Sequence, residues 1–180
     1  RKRGQKNHAL GRSRGGFSTK VHLAVSKEGY PLRFRITPGQ SADIHEIVPL
    51  LAQRAPEVVI ADTAYDSSRI RAILSGRGSQ IVIPNRSQRK EPFPLDKEMY
   101  KKRSIVEIFI NKIKQYRRVA TRYDKAQKFY EAMVAIGCIR IALRFWKHAL
   151  VFIYCTSSSP SYAGSWNKYR HYAIGYSLIF

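Results

Sequence analysis

The chain has 180 residues, 44% of them hydrophobic, which is enough to bury the core of one domain of ordinary size. Lys and Arg number 33 against 12 Asp and Glu, so the net charge is +21 at pH 7. This composition argues against disorder and favours a polyanionic partner, with nucleic acid ahead of an anionic membrane surface. Two cysteines and five scattered histidines exclude a disulfide framework and the usual zinc-hydrolase motifs.

The first third of the chain predicts a loop, a hairpin and a helix. Residues 1–16 are basic, Gly-rich and without periodicity, which is typical of a loop or an extended arm. Apolar residues alternate over Phe17–Ser26 and again over Leu32–Ile36, which predicts two hairpin strands. Asp43 and Glu46 have the spacing of a capping pair and predict a helix to about residue 54. Asp43 as a metal ligand is the alternative.

A short apolar run in the next segment ends at a carboxylate. Val58–Ala61 predicts a buried parallel strand, and Asp62 stands at its carboxyl end, where the sites of open α/β sheets gather. A turn-forming role is the alternative for Asp62. A helix is predicted over Ser67–Leu74 with Asp66 as its cap, followed by a strand over Gln80–Ile83.

Residues 85–95 are polar and contain two prolines, so they predict a loop. Arg86, Arg89 and Lys90 in this loop could reach DNA, and a solvated loop is the alternative reading.

One helix, over about Asp96–Ala120, carries a single carboxylate in the middle of a basic face. The residues of that face are Arg103, Glu107, Asn111, Lys114 and Arg118, with Tyr100 one turn earlier. The apolar stripe beside it is Ile105, Phe109, Ile113, Tyr116 and Ala120. A carboxylate in this setting can hold a divalent cation while its cationic neighbours hold phosphates. A solvated face with ordinary ion pairs is the alternative.

The end of the chain predicts a core helix and then a change of character. A helix over about Lys125–Trp146 has an apolar stripe that we assign to the core: Phe129, Ala132, Ile136, Ile139, Leu143 and Trp146. Charged residues interrupt the apolar stretch 129–155, so no membrane span is expected. Residues 147–180 contain no acid, six Ser and eight of the 21 aromatics, and show neither helical nor strand periodicity. They predict an atypical tail, with an aromatic platform for single strands as the alternative.

Two motifs resemble those of a known family. The pattern Y-x2-R-x3-E-x6-K, formed here by Tyr100, Arg103, Glu107 and Lys114, resembles the signature around the last acid of DDE-type transposases of bacterial insertion sequences. The stretch VVIADTAYDS at 58–67 is similar to the segment with their second catalytic Asp. GRSRGGFSTKVHL, PLRFRITPGQSAD and TRYDKAQKFYEAMVAIGCIRIAL resemble further parts of the insertion-sequence-five family. The resemblance covers residues 1–146, which we expect to form the transposase domain.

The resemblance implies a fold, a chemistry and a set of site residues. The fold is α/β, a ribonuclease-H-like mixed sheet flanked by helices, with acids converging from a first strand, a later strand and a helix. The activity is strand cleavage and strand transfer in DNA transposition, with two Mg²⁺ ions. Asp62 and Glu107 are the implied catalytic residues and metal ligands. The implied DNA contacts are Tyr100, Arg103, Lys114, Arg117, Arg118 and Lys20. The implied setting is a bacterial cytoplasm near the nucleoid, with a homo-oligomer on DNA and no membrane.

The first acid of the family pattern is not in the printed sequence, because no Asp or Glu precedes Glu28. The family carries that Asp on a strand upstream of the GRSRGG segment. We therefore expect a domain that is incomplete at its N-terminus and inactive alone. It is a fragment, a degenerate copy, or a second reading frame that works with an upstream reading-frame product. The alternatives are a non-catalytic basic nucleic-acid-binding protein and a nuclease, such as a resolvase, on the same fold.

Overall fold

A mixed sheet flanked by helices forms the fold, which is α/β as the sequence predicted. The computed structural model describes residues 8–13, 16–52, 55–155 and 172–179, with the backbone alone for 145–155 and 172–179. The strands are β1 (Gly11–Ser13), β2 (Gly16–Val25), β3 (Pro31–Pro38), β4 (Val58–Ala61), β5 (Gln80–Val82) and β6 (Tyr172–Ile179). The helices are α1 (Ile47–Leu51), α2 (Ser68–Gly76), α3 (Lys97–Lys101), α4 (Ser104–Lys114), α5 (Arg117–Ala120) and α6 (Gln127–Cys155). Short 3-10 turns at Asp43–His45 and Thr63–Tyr65 precede α1 and follow β4.

The last strand in the sequence lies inside the sheet. β3 pairs antiparallel with β2, which confirms the predicted hairpin, and β1 pairs antiparallel with the start of β2. β6 pairs antiparallel with β2 and parallel with β4, and β4 pairs parallel with β5. The strand order is therefore β3-β2-β6-β4-β5, with β1 also on β2.

The position of β6 differs from the expectation that no strand follows residue 147. The sequence YAIGYSLI is apolar at most positions and does not alternate with polar residues. A strand with helices over both faces needs no such alternation. β6 is of this kind, since α1 contacts it on one side and α4 on the other. Alternation was therefore the wrong criterion for this segment. α6 also continues beyond the predicted end at Trp146, to Cys155.

Two hydrophobic clusters cover the two faces of β4. Val58 and Ile60 belong to a cluster with α4 and α6, whereas Val59 and Ala61 belong to a cluster with α1 and α2. We call these sides of the sheet the α4 face and the α2 face. All four residues are buried, and full burial of each Val or Ile side chain contributes about 1.5–3 kcal/mol. The predicted buried strand at Val58–Ala61 is confirmed.

The segment predicted as one helix over 96–120 is divided into α3, α4 and α5. The turn between α3 and α4 is tightened, because the Arg103 N–H bonds to the Tyr100 carbonyl three residues back. Tyr116 has extended backbone angles, φ −83 and ψ 108, and separates α5 from α4. The predicted basic face therefore does not run along one axis to Arg118. The predicted stripe is confirmed in part: Phe109 and Ile113 are buried, and Ile105 and Tyr116 pack against the same cluster. The buried side of α4 also includes Val106 and Ile110, which the stripe left out.

In place of the predicted helix from Asp43 to about residue 54, the described residues form a 3-10 turn and the short helix α1. The predicted capping pair is not formed. No side-chain hydrogen bond caps the Asp43–His45 turn or α1. Asp43 instead accepts a 2.8 Å bond from Lys20 Nζ, and Glu46 accepts a 2.7 Å bond from Arg35 Nε. Both acids thus tie this segment to the β2–β3 hairpin, and nearby cations outcompete backbone N–H groups for them.

The stripe of α6 that we assigned to the core is exposed, which corrects that prediction. Phe129, Ala132, Ile136, Ile139 and Leu143 are all exposed, and the side chain of Trp146 lies outside the described ones. The buried side of α6 consists of Tyr130, Val134, Cys138 and Ile141. The helix is apolar nearly all round, so two stripes fit the same period and packing selects between them.

Asp66 holds the loop at residues 85–95 against the sheet. Its carboxylate is 1% exposed and accepts bonds from Arg71 Nε at 2.8 Å, Arg89 Nη2 at 2.9 Å and the Arg86 N–H at 2.9 Å. The Arg71 and Arg89 guanidinium groups both lie over the Phe93 ring. The prediction that Asp66 caps α2 is wrong, because Ser67 stands at that position and Asp66 accepts bonds from two arginine side chains and from the backbone N–H of Arg86.

We expect Asp66→Asn to lower the free energy of unfolding by about 3 kcal/mol at pH 7, because it leaves buried Arg71 without its counter-charge. Burial alone would raise the pKa of Asp66, but hydrogen bonds from Arg89, Arg86 and Arg71 lower it from 3.8 to about 2. The stabilisation is thus complete above pH 4 and is lost as the pH falls towards 2.

Urea unfolding at pH 7, 4 and 2.5 measures both effects. The control is Glu91→Gln, which removes an equal charge from an exposed position in the same loop. An Asp66→Asn protein that is as stable as the control at pH 7 would contradict the prediction.

Candidate metal and DNA site

Asp62 lies at the carboxyl end of β4, where the sequence placed it. Its backbone remains extended, with φ −77 and ψ 162, so the alternation of β4 continues through it. Val58 and Ile60 are on the α4 face, and Asp62 therefore projects to that same face. The carboxylate Oδ1 accepts a 2.7 Å bond from the Thr63 N–H and begins the 3-10 turn. The turn-forming role and a metal-binding role are compatible, since Oδ2 is not used by the turn.

Glu107 stands in the first turn of α4, the helix that packs over β2 and β6 on the α4 face. Its neighbours Val106 and Phe109 are buried, so the helix is anchored on both sides of the acid. The position near the helix N-terminus favours a carboxylate electrostatically. The Glu107 side chain is 44% exposed and the Asp62 side chain 39%, so both acids are open to solvent.

A single guanidinium group contacts both acids. Arg103 Nη2 donates to Glu107 Oε1 at 2.6 Å, and Arg103 Nη1 lies 3.9 Å from Asp62 Oδ2. The two nitrogens belong to one rigid planar group, so the carboxylates converge on the same cation. The bond to Glu107 is a short charge-assisted one, whereas the contact with Asp62 is longer and weaker. The acids at the strand end and on the helix therefore share one electrostatic site.

Tyr100 completes the environment of Arg103. The Arg103 guanidinium carbon lies 5.4 Å from the centre of the Tyr100 ring, within the range of a cation–π contact. The Tyr100 ring is partly buried against the main cluster. The first three members of the Tyr-Arg-Glu-Lys spacing are thus neighbours in space. The fourth, Lys114, is exposed two turns further along α4, about 10 Å along the axis from Glu107.

The chemistry of the donor set fits a hard divalent cation. Two carboxylates that already converge on a positive group can exchange that group for a metal ion, and oxygen ligands suit Mg²⁺. Among the side chains that the structure describes, no group of three or more His, Cys, Asp and Glu could hold a metal. Asp62 and Glu107 are the described residues that could hold such an ion, and most of its coordination shell would then come from water or substrate.

The predicted DNA contacts of α5 lie away from the acids, beyond the break at Tyr116. Arg117 and Arg118 are both exposed. Arg117 Nε donates to the Tyr123 hydroxyl at 3.0 Å, which leaves its other nitrogens available to a phosphate. Their contact with DNA stays a prediction.

Lys20, another predicted DNA contact, lies in an ion pair on the β2–β3 side of the fold. Its side chain is 11% exposed, and Nζ bonds to Asp43 Oδ1 at 2.8 Å and to the Ser41 carbonyl at 2.9 Å. A DNA contact by Lys20 would require this ion pair to open. The same pair neutralises Asp43, so Asp43 is a weaker candidate for metal binding than Asp62.

The loop at 85–95 brings further basic residues beside the segment that follows Asp62. Arg86 Nη2 bonds to the Ala64 carbonyl, and Arg89 Nη1 bonds to the Ser68 hydroxyl. The sequence marked these arginines as possible DNA contacts but not the anchor that holds them. The anchoring role of Asp66 had no sequence signal, because a lone Asp before Ser67 resembles an ordinary helix cap.

No helix among the described residues is long and apolar enough to cross a membrane.

Comparisons with known proteins agree with the motifs. The model of a family described as the transposase DDE domain matches residues 1–142. A putative transposase for insertion sequence element IS6501 from Brucella ovis is 35% identical over 130 residues, which span 71% of this chain and 99% of that protein. A putative transposase for insertion sequence element IS402 from Burkholderia cepacia is 28% identical over 135 residues, 68% of this chain and 62% of that protein. No solved structure matches the chain.

The family match covers both motif segments, the one around Asp62 and the one around Glu107, and it ends within α6. Divalent metal ions and DNA are characteristic of this family. The chain belongs to the DDE transposase family of bacterial insertion sequences.

Proposed function

We propose that this chain is the catalytic domain of an insertion-element transposase that cleaves DNA strands and transfers them with Mg²⁺. In this proposal Asp62 and Glu107 are the metal ligands on a ribonuclease-H-like fold. Tyr100, Arg103, Lys114, Arg117 and Arg118 position the DNA, and Lys20 does so if its ion pair opens. The observation that carries the proposal is the contact of Arg103 with both acids.

A purely basic binding module would have no reason to bring these acids together. In such a module carboxylates reduce the attraction for phosphates, and there would be no selection for two of them at one place among cations. The strand order also supports the proposed fold. Asp62 follows a strand inside a mixed sheet, and Glu107 lies on a helix above that sheet.

Bound metal ions would supply a nucleophile at neutral pH and stabilise the leaving oxygen of an in-line phosphoryl displacement. The residues of this chain would do the remaining work. Asp62 would hold its ligand oxygen on a rigid strand end, and Glu107 would reach the same cation from the helix. With a metal ion between the acids, the Arg103 guanidinium could turn to a phosphate of the substrate strand.

We expect Arg103→Gln to tighten Mn²⁺ binding about three- to tenfold, because it removes the guanidinium that competes for both carboxylates, worth about 1 kcal/mol. Electron paramagnetic resonance of free Mn²⁺ measures the dissociation constant. Lys97→Gln, which removes an equal charge from an exposed residue of α3, is the control. Binding that is unchanged by both Asp62→Asn and Glu107→Gln would reject the proposed ligands.

We expect sequence-tolerant DNA binding that falls steeply with salt, since each phosphate contact adds about 0.9 to the slope of log affinity against log salt. Arg117→Gln and Arg118→Gln should each reduce that slope by about 1. Arg69→Gln is the control, because Arg69 is an exposed arginine of α2 on the opposite face of the sheet. Fluorescence anisotropy of labelled DNA gives the affinity at several salt concentrations between about 50 and 200 mM, and the slope follows from those affinities. Equal slopes for all three variants would place the DNA elsewhere.

We expect the chain as printed to show no Mg²⁺-dependent cleavage of DNA that carries the ends of its own element. Two carboxylates cannot hold two metal ions in the geometry of an in-line displacement. Addition of a strand with a third acid should restore cleavage, and Asp62→Asn or Glu107→Gln should then abolish it. Robust cleavage by the unextended chain would show that another acid contributes, with Asp43 the first to test.

A further inference from the structure

Helix α6 has two apolar sides, and the described residues cover one of them. The covered side joins the main cluster and consists of Tyr130, Val134, Cys138 and Ile141. The opposite side carries four large apolar side chains, each between 55% and 57% exposed: Phe129, Ile136, Ile139 and Leu143. A helix that is apolar all round is normally buried all round. The exposed side of α6 is therefore a surface that its composition suits to a partner.

The spacing of the exposed side is that of a coiled-coil seam. Steps of three and four residues lead from Phe129 to Ala132, Ile136, Ile139 and Leu143. In the sequence the same steps continue to Trp146, Leu150 and Ile153, and the helical backbone continues to Cys155. We call this row of positions the α6 seam. An apolar repeat of this kind, sustained over three heptads or more, is typical of a helix that pairs with another helix along its length.

A matching partner helix is found in α6 itself. Among the described helices, α6 has 29 residues and the next longest, α4, has 11, so no other described helix could follow the whole seam. Residues 156–171, which lie between α6 and β6, contain Pro160 and Gly164 and no Val, Ile, Leu, Met or Phe. That composition does not supply a row of aliphatic knobs. A second copy of the chain offers the same repeat at the same length.

We propose that two copies of this chain pair through the α6 seam, as parallel helices about a two-fold axis. The surface would be self-complementary, as a two-fold interface requires, because each copy presents the same row of side chains. Neither Asp62 nor Glu107 belongs to the seam. The pairing therefore does not depend on the cation site, and its failure would leave the proposed function untouched.

The residues that flank the seam favour the parallel direction. One flank has Ala135 and Ala142, and the other has Met133 and Arg140. In a parallel pair each flank faces the opposite flank of the second helix, so Arg140 faces alanine. In an antiparallel pair each flank faces its own kind, which brings the two basic flanks together. Like charges at such a contact are destabilising, so the parallel pair is preferred.

The size of the contact predicts a weak dimer. At about 1.5 Å per residue, the seam from Phe129 to Ile153 is about 36 Å long, and a helix about 10 Å wide would cover roughly 400 Å² of each copy. An apolar groove of about 360 Å³ beside the seam extends this surface, since Ile139 of α6 and Pro31 and Phe34 of β3 line it. The total approaches the roughly 1,000 Å² of a small specific interface, which predicts a dissociation constant in the micromolar range.

The net charge sets the conditions for pairing. Each copy carries +21, so two copies repel each other at low ionic strength. The Debye length falls from about 8 Å at 0.15 M salt to about 3 Å at 1 M, and the repulsion falls with it. We therefore expect the dimer to tighten as salt rises. DNA binding is expected to weaken over the same change, so salt separates the two kinds of association.

The first test is sedimentation equilibrium of the full chain without DNA, at low and high salt. We expect Ile136→Glu to raise the dimer dissociation constant about a hundredfold, because two carboxylates would then face each other in an apolar seam. Leu143→Gln, a milder change, should raise it about tenfold. The control is Ile108→Glu, which places the same charge on a 52% exposed side chain of α4 outside the seam and should have little effect.

Circular dichroism checks that each variant keeps its fold, which we expect because the substituted side chains are exposed. A chain that stays monomeric at about 100 µM in both salts would overturn the proposal and leave the exposed side of α6 to another occupant. A dimer that Ile108→Glu weakens as much as Ile136→Glu would also overturn it.

The second test measures the direction of the pair. In a chain with Cys138→Ala and Cys155→Ala, we add Ile136→Cys and oxidise with diamide. In a parallel pair the two copies of position 136 face each other, within the Cα separation of about 4.4–6.8 Å that a disulfide needs. We expect cross-linking about tenfold faster than for Ile108→Cys in the same background. Equal rates for the two variants would reject the parallel pair.

Discussion

The alternation of side chains along β4 is the constraint on which both cores and the candidate site depend. Val58 and Ile60 serve the α4 face, and Val59 and Ala61 serve the α2 face. A slip of one residue would exchange the two sets and turn Asp62 away from Glu107. Burial on both faces makes such a slip costly, because Ile60 would enter the cluster that now holds the smaller Ala61. The packing of a four-residue strand thus fixes the direction of a partly exposed acid.

The positive charge of Arg103 offsets the repulsion between the two carboxylates of the site. Two carboxylates that face each other without a cation would repel and turn outward, and the guanidinium between them removes that tendency. Because all three groups are partly exposed, the ion pairs are screened and contribute little to folding. These ion pairs keep the two acids close together. A divalent ion could replace the guanidinium at the acids, and a phosphate could draw the guanidinium away from them. α4 supplies Glu107, the residue just before α4 supplies Arg103, and the buried side of α4 holds both in place.

Sequence patterns predicted the hairpin and the β4 strand, because each depends on a local period. Short motifs singled out Asp62 and Glu107, and their role as metal ligands stays a prediction. Sequence patterns did less well where tertiary packing decides. α6 offers two apolar stripes, and the one containing Tyr130 and Val134 is buried. Asp66 has a sequence position typical of a helix cap, but it bonds instead to Arg71 and to two residues of the 85–95 loop, Arg86 and Arg89. β6 has no alternation because both of its faces are covered, so its pairing partners could not be read from its own sequence.

The central place of β6 also determines when the fold can form. The β2–β3 hairpin joins neighbours in sequence, and its contacts are available as soon as Pro38 has been synthesised. The pairing of Lys20 with Ile179 joins residues nearly a whole chain length apart. Loop closure over such a separation is slow, and until it occurs the facing edges of β2 and β4 remain unsatisfied. Residues 172–179 must therefore be synthesised before the sheet can close, and until then the facing edges of β2 and β4 are open to edge-to-edge pairing with other chains.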